Sequence, residues 1–288
     1  MRLDGPPQPE AAPHPAAVLA ALGLPAPEAA ERATGGADTL VWRVRVGGAA
    51  LALRLLQPGQ DGRCRREAAA MAAATAAGVP VPAVRAQGQW EGRPVLLMDW
   101  CPGETVTAAV TARPASARRM GRLFGAIQAA IHAVPAPHAL NARWLTAGGP
   151  AAQPLRARLE ALPARTDRLI HFDYHPLNVL TDGERITGVI DWANAGAGDP
   201  RADVARTMSI LRLEYRRPGA RGGAVGRFDL GWREGYASAS GLPVDAAHAL
   251  FYAWAGLAMV ADLQGRRDEA FFRRVRFWSA CWAARLPG

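Results

Sequence analysis

Lysine is missing from this 288-residue sequence: all 34 of its basic side chains are arginine. Against 25 acidic residues they give a formal net charge of +9, a balance that suits a nucleic-acid or acidic-membrane partner in general. The arginines are spread along the chain, however, and form no basic run. With the abundant alanine, glycine and proline they have the look of a GC-rich coding bias. No nucleic-acid partner is expected from that distribution. Cysteine is scarce as well. Cys64, Cys101 and Cys281 stand far apart without metal-type spacing and indicate neither a disulfide framework nor a zinc site. Long hydrophobic runs are also lacking: the longest, residues 246–261, is broken by His248 and is short for a bilayer crossing. Pro6, Pro7, Pro9, Pro13 and Pro15 leave no apolar core for a signal peptide. The expectation is a soluble, cytoplasmic protein with no membrane partner.

What the chain does have is hydrophobic content, half of all residues, enough for one large domain or two lobes. Residues 1–15 read as a flexible proline-rich start, followed by a short helix over 15–22. Residues 32–39 form a glycine-containing loop. Alternating apolar residues predict strands over 40–46 and 49–56, joined at Gly47-Gly48, a hairpin signal. An alanine-rich helix follows from Asp61 or Gly62 to Ala77, stopped by Gly78 with Pro80 beyond. Two further strands, 84–87 and 94–99, flank a turn at Glu91-Gly92. Residues 16–100 thus read as one lobe, a small sheet with a helix. Residues 101–104 are the linker, and 101–288 form a second, mainly helical lobe. There Ser116 is expected to cap a helix whose apolar face is Met120, Leu123, Phe124, Ile127 and Ile131. Residues 135–168 look like an insertion with one short helix at 155–162. Short strands follow at 169–171, 179–181 and 186–190.

Two segments of that second lobe carry the chemistry: His171-Phe172-Asp173-Tyr174-His175-Pro176-Leu177-Asn178 and Ile190-Asp191-Trp192. Asn178 follows Asp173 by five positions, and Asp191 follows Asn178 by thirteen. An aspartate base, an asparagine metal ligand and an aspartate metal ligand in that order are the working parts of a kinase site. Proton acceptance and Mg²⁺ coordination both require hard oxygen atoms, which these side chains supply.

The same residues, with Asp199-Pro200 and Asp203-Val204-Ala205 after them, resemble the aminoglycoside phosphotransferase family, the small-molecule branch of protein-kinase-like enzymes. The resemblance implies an α+β, two-lobe kinase-like fold with a small antiparallel sheet and a mainly helical second lobe. It implies ATP or GTP as co-substrate, Mg²⁺ as cofactor and a small-molecule hydroxyl compound as acceptor. Asp173 would be the catalytic base, and Asn178 and Asp191 the metal ligands. His171, His175, Asp199 and Asp203 would support them. Nucleotide-binding candidates are Gly35 and Gly36, whose backbone N–H groups suit phosphate oxygens. Arg54, which stands at the strand position of the kinase lysine, joins them with Glu67, Met98, Asp99 and Trp100. Arginine binds as a planar fork, so Arg54 is no simple copy of that lysine. Phe172 and Leu177 occupy positions where the family often has glycine, and their bulk is expected to reshape the loop or narrow the acceptor site.

The acceptor should be small, because Asp199 follows Asp191 by only eight positions, which leaves little room for a long activation loop. From residue 201 onward, 14 arginines face eight acidic residues, which argues against a polycationic acceptor unless Glu214, Asp262 and neighbours form a local acidic cluster. Sugars, macrolides and amino alcohols are therefore candidates beside aminoglycosides. The competing reading is a nucleotide-binding pseudokinase acting as a scaffold.

Overall fold

A computed structural model of the chain describes residues 13–33, 39–140, 148–162, 166–215, 223–244 and 249–286. Gly35 and Gly36 lie outside the described residues, as does most of the proline-rich start. The chain divides into two compact units. One comprises the residues up to Cys64 together with Val84–Trp100, and the other comprises Arg65–Ala83 with Cys101 onward.

Apolar alternation builds the sheet of the first unit. Its five strands are β1 (Ala29–Ala33), β2 (Leu40–Val46), β3 (Ala49–Leu55), β4 (Val84–Trp90) and β5 (Arg93–Asp99). They are antiparallel, in the order β1-β2-β3-β5-β4. Gly47 and Gly48, both at positive φ, close the β2–β3 hairpin where Val46 pairs with Ala49. On one face Trp42, Val44, Leu51, Leu53, Leu55, Val95 and Leu97 pack with Val18 and Leu19 of helix α1 (Pro15–Ala21). β5 lies between β3 and β4 and is buried on both faces, so it reads as a continuous apolar run. Strand β1 was not expected, and its last two residues fall in the stretch read as a glycine-containing loop. Its sequence, Ala-Ala-Glu-Arg-Ala, is exposed and has no alternation, so the ladder to β2 makes it a strand.

The long helix α2 (Asp61–Ala76) crosses from the first unit into the second. The second unit is mainly helical, with three small strand pairings inserted before its midpoint. Its strands are β6 (Glu104–Thr105), β7 (Arg168–Ile170), β8 (Val179–Thr181), β9 (Ile186–Val189) and β10 (Gly196–Gly198). β6, β8 and β9 form one sheet, and β7 pairs with β10. The helices are α3 (Val106–Ala112), α4 (Ala117–Ala133), α5 (Gln153–Glu160), α6 (Pro200–Leu213), α7 (Ala224–Ser240), α8 (Ala249–Asp262) and α9 (Glu269–Ala283). None of these is long and apolar enough to cross a membrane. The α+β class with an antiparallel sheet is therefore as the sequence implied. Ser116 behaves differently from the expectation: it ends a 3-10 turn, and its hydroxyl donates to the Arg113 carbonyl at 2.8 Å instead of capping α4.

Helices α4 and α7 meet backbone to backbone. Gly121 and Gly125 on α4, and Gly231 and Gly235 on α7, each stand four residues apart, on one side of a helix. A methyl group on Gly121 would come within 2.2 Å of the Phe228 carbonyl oxygen, and one on Gly125 within 2.2 Å of the Trp232 carbonyl oxygen. In return, a methyl on Gly231 would meet the Arg118 carbonyl oxygen at 2.0 Å, and one on Gly235 that of Arg122 at 2.1 Å. Arg118 and Arg122 both pair with Glu234 across the same seam, and those two arginines hold the Glu234 carboxyl down at about 2. Because the obstacle is main chain and not a mobile side chain, Gly125→Ala and Gly231→Ala are each expected to destabilise the protein by about 3 kcal/mol or more. Urea unfolding measures this. An alanine variant as stable as wild type would contradict the close contact.

Candidate active site

The loop from His171 to Asn178 connects β7 to β8, and a single buried carboxylate sets its shape. Asp203, on the first turn of α6, is fully buried. Its Oδ1 accepts from the Phe172 N–H at 2.8 Å, and its Oδ2 accepts from the His171 N–H at 3.2 Å. Oδ2 also lies 2.9 Å from His132 Nε2 of α4. Burial alone pushes this carboxyl upward. The hydrogen bond from His132, the charges of His132 and His171 and the His171 N–H outweigh burial and hold it below the ordinary carboxylate range. Asp199 works on the helix that carries Asp203. It caps α6 by accepting from the Arg201 N–H at 2.9 Å and grips the Arg201 guanidinium through both oxygens.

His171 is fully buried, and burial depresses its pKa despite Asp203, Asp173 and Asp191 nearby. Its Nδ1 accepts from the Asp173 N–H at 3.3 Å, which leaves the proton on Nε2, 3.1 Å from the Ile190 carbonyl. The ring therefore ties the Asp173 end of the loop to the segment that carries Asp191, and it packs at a tilt against Trp192. The register of the β8–β9 hairpin completes the trio. Val179 pairs with Val189, so Asn178 just before β8 and Asp191 just after β9 stand at the same end, and the Ile190 N–H donates to the Asn178 carbonyl at 2.9 Å. Asp191 itself is exposed and left-handed (φ 60), a conformation that a non-glycine residue holds only where its surroundings impose it.

The side chains converge accordingly. The Asn178 amide nitrogen donates to the Asp173 carbonyl at 3.0 Å and lies 3.4 Å from the Asp173 carboxylate. With its nitrogen turned to Asp173, Asn178 presents its oxygen as the remaining ligand atom. That oxygen and the exposed Asp191 carboxylate are hard donors of the kind that Mg²⁺ takes. Among the described residues no cluster of three or more His, Cys, Asp or Glu forms a metal cage, and a site shared with phosphates does not need one. His175 lies 3.7 Å from the Asp173 carboxylate on one side, and its Nδ1 is 3.5 Å from the Tyr215 hydroxyl on the other.

Of the two expectations for Phe172, a reshaped loop or a narrowed acceptor site, its geometry bears on the first, because the ring turns inward beneath the loop. Its φ is +67°, and its ring is buried between Trp254 at 5.6 Å and the Arg206 guanidinium at 5.6 Å. Arg206 in turn pairs with Asp262 at 2.7 Å. The side chain fills the interior under the loop, while the backbone keeps the turn that a glycine would adopt without strain. Leu177, by contrast, is exposed.

In the first unit, Arg54 is buried, and the β3–β5 register sets it with Leu96 and Met98 on one face of the sheet. Asp99 falls on the opposite face, where Arg85 binds its carboxylate at 2.6 and 2.8 Å. Trp100 stacks under Arg43 at 5.1 Å. Glu67 is buried on α2 within the second unit.

The sequence pattern passed over a polar chain behind the loop. Trp232 Nε1 donates to Gln128 at 2.8 Å, Gln128 to the Thr207 hydroxyl at 2.9 Å, and that hydroxyl to the Tyr174 carbonyl at 2.9 Å. A parallel link runs from the Tyr236 hydroxyl to His132 Nδ1 at 2.9 Å and so to Asp203. The available signal was Gln128 and His132, two polar residues four apart on the otherwise apolar face of α4.

A sequence profile of the phosphotransferase enzyme family matches residues 29–251. The chain belongs to that family. The fold is shared with aminoglycoside phosphotransferase APH(4)-Ia, solved as a thermostable mutant in ternary complex with AMP-PNP and hygromycin B. The TM-score is 0.66 at 18% identity, over 93% of this chain and 96% of that one. Spectinomycin phosphotransferase APH(9)-Ia, in complex with ADP and spectinomycin, gives 0.58 at 14% identity over 91% and 94%. Macrolide 2′-phosphotransferase MphH from Brachybacterium faecium gives 0.54 at 19% identity over 91% and 96%. No curated protein sequence matches the chain. Family membership makes this protein a phosphotransferase.

Two outcomes follow from the loop. Phe172→Ala loses the ring's burial and keeps a strained β-carbon, whereas Phe172→Gly loses the ring and relieves the strain. Both variants should be destabilised by a few kcal/mol, with glycine the more stable of the two by roughly 1 kcal/mol. The reverse order in thermal unfolding would refute strain at φ +67°. The second outcome concerns pH. A buried His171 that resists protonation binds fewer protons folded than unfolded, so unfolding free energy should fall as pH drops below the ordinary value of 6.5. The stability contributed by Asp203 is present above its ordinary 3.8 and is lost only as pH falls through its lower folded value. Urea titrations between pH 7.5 and 5 should therefore show a decline that His171→Gln flattens, and a variant with the wild-type slope would contradict this assignment.

Proposed function

We propose that this phosphotransferase moves the γ-phosphoryl group of ATP, or of GTP, to a hydroxyl of a small molecule. The observation that carries the reading is the convergence of Asp173, Asn178 and Asp191 at one hairpin end, with a buried scaffold fixing the loop between them. Phosphoryl transfer asks a protein chiefly for positioning and for neutralisation of charge, and the site is built for both.

Asp173 is half-exposed, and the Asn178 amide holds its backbone carbonyl. Its carboxylate orients the attacking hydroxyl and accepts its proton. Asn178 and Asp191 are the residues that would hold Mg²⁺, which when bound neutralises charge on the nucleotide phosphates. His171 and Asp203 position the loop and do not exchange protons with substrate, since both are sealed from solvent. Arg54 and Met98, on one sheet face of the first unit, are assigned to the nucleotide. The neighbouring structures hold AMP-PNP or ADP beside hygromycin B or spectinomycin, in line with a nucleotide and a hydroxyl-rich acceptor.

Asp173→Ala should lower kcat by about 10²–10⁴ in a labelled-nucleotide screen of hydroxyl compounds, with little change in folding. Asp191→Ala should abolish Mg²⁺-dependent turnover. Transfer that persists at wild-type rate in either variant would remove that residue from the mechanism. Nucleotide binding without transfer to any acceptor would favour the scaffold reading instead.

A further inference from the structure

The acidic residues that might have formed a cluster for a polycation are each already engaged. Glu214, at the end of α6, pairs with Arg267 at 2.8 Å. Asp262 pairs with the buried Arg206. Asp268 caps α9 by accepting from the Phe271 N–H at 2.7 Å. Between the end of α6 and the start of α9 lies a cleft of about 430 Å³, lined by Leu213, Glu214, Arg266, Arg267, Phe271 and Arg274 with the capping Asp268. That volume suits a small ligand. Arg267 and Arg274 both approach the Phe271 ring, at 5.6 and 5.5 Å. Among the described residues Arg274 makes no ion pair with an acidic side chain. Both carboxylates of the cleft are thus engaged, Glu214 with Arg267 and Asp268 at the helix cap, while Arg274 lies over Phe271.

The cleft is also connected to the catalytic loop. The residue after Glu214 is Tyr215, whose hydroxyl reaches His175 at 3.5 Å, and His175 lies 3.7 Å from Asp173. Tyr215 is raised from its ordinary pKa by burial first, with Glu214 on the cleft side and Asp173 on the loop side adding to it. One aromatic side chain thus feels both the cleft and the base.

We propose that this cleft receives an anionic oxygen group, a carboxylate or a phosphate, borne by the hydroxyl acceptor, and that Arg274 grips it. The proposal rests on the phosphotransferase reading for its acceptor, but not for its anion site. Guanidinium matches the planar geometry of such oxygens. A polycationic acceptor finds both carboxylates of the cleft engaged, whereas an acid-bearing sugar or hydroxy acid finds Arg274 in a cleft whose lining residue Glu214 adjoins Tyr215.

The test uses the full-length protein, Arg274→Ala, and Arg285→Ala as a surface control. Isothermal titration with inorganic phosphate, with acetate and with uncharged glycerol reads the site directly. Arg274→Ala should bind one of the two anions about tenfold more weakly than the other two proteins, and which anion is affected tells phosphate from carboxylate. An anion held elsewhere contributes equally to all three proteins and cancels. Equal affinities across the three overturn the proposal. In a second arm, hydroxyl compounds are offered with labelled ATP and Mg²⁺ in matched neutral and acid-bearing pairs. The acid-bearing member should show about tenfold higher kcat/KM, and Arg274→Ala should raise its KM, with Arg274→Lys restoring part of the loss. A preference for neutral or polycationic acceptors that Arg274→Ala leaves untouched overturns the proposal. If no acceptor is phosphorylated while anion binding still depends on Arg274, the anion site stands and the phosphotransferase reading falls.

Discussion

The carboxylate of Asp203 is the constraint on which the catalytic loop depends. A fully buried anion is tolerated only where hydrogen bonds surround it. Here two of those bonds come from consecutive backbone N–H groups of the loop, and the third from a histidine on another helix. Two N–H groups pointing at one carboxylate fix the direction of the chain between them. That direction forces Phe172 into the left-handed region and sends Asp173 outward. The strain at Phe172 and the outward pose of the base are two results of the same pair of bonds.

The grouping of Asp173, Asn178 and Asp191 was legible in the sequence because the proposed chemistry admits few residue types and the spacing follows from local structure. The interval from Asn178 to Asp191 is the length of one hairpin, and strands with alternating apolar residues announced that hairpin. The brace behind the trio was not legible in the same way. Gln128, Thr207, Trp232 and Tyr236 come from three helices widely separated in sequence. Each alone is an ordinary polar or aromatic residue on a helix. Strands β1, β6 and β10 escaped for a different reason: exposed Ala-Glu-Arg, a two-residue pair and Gly-Ala-Gly have no preference of their own and become strands only beside a partner. Ser116 shows the limit of reading caps from residue type, since its hydroxyl found a nearer carbonyl in the preceding turn.

The arginine excess, diffuse in the sequence, becomes specific in three dimensions. Several of the cations engage acids across helix seams: Arg118 and Arg122 with Glu234, Arg206 with Asp262, Arg212 with Asp229 and Arg267 with Glu214. Planar guanidinium groups also lie over Phe172, Phe251 and Phe271, where they act as flat packing surfaces as much as charges. Part of the arginine content is thus a structural resource inside the helical unit.

The seam between α4 and α7 sets a different kind of limit. Ordinary cores drift over time because a larger side chain on one side can be matched by a smaller one opposite. Where glycine lies against carbonyl oxygen on both helices, there is no side-chain volume left to exchange. An added methyl on one helix has nothing to displace on the other except the main chain. The sequence around Gly121, Gly125, Gly231 and Gly235 therefore has no compensating neighbours, and change there is open only to replacement of the whole helix pair.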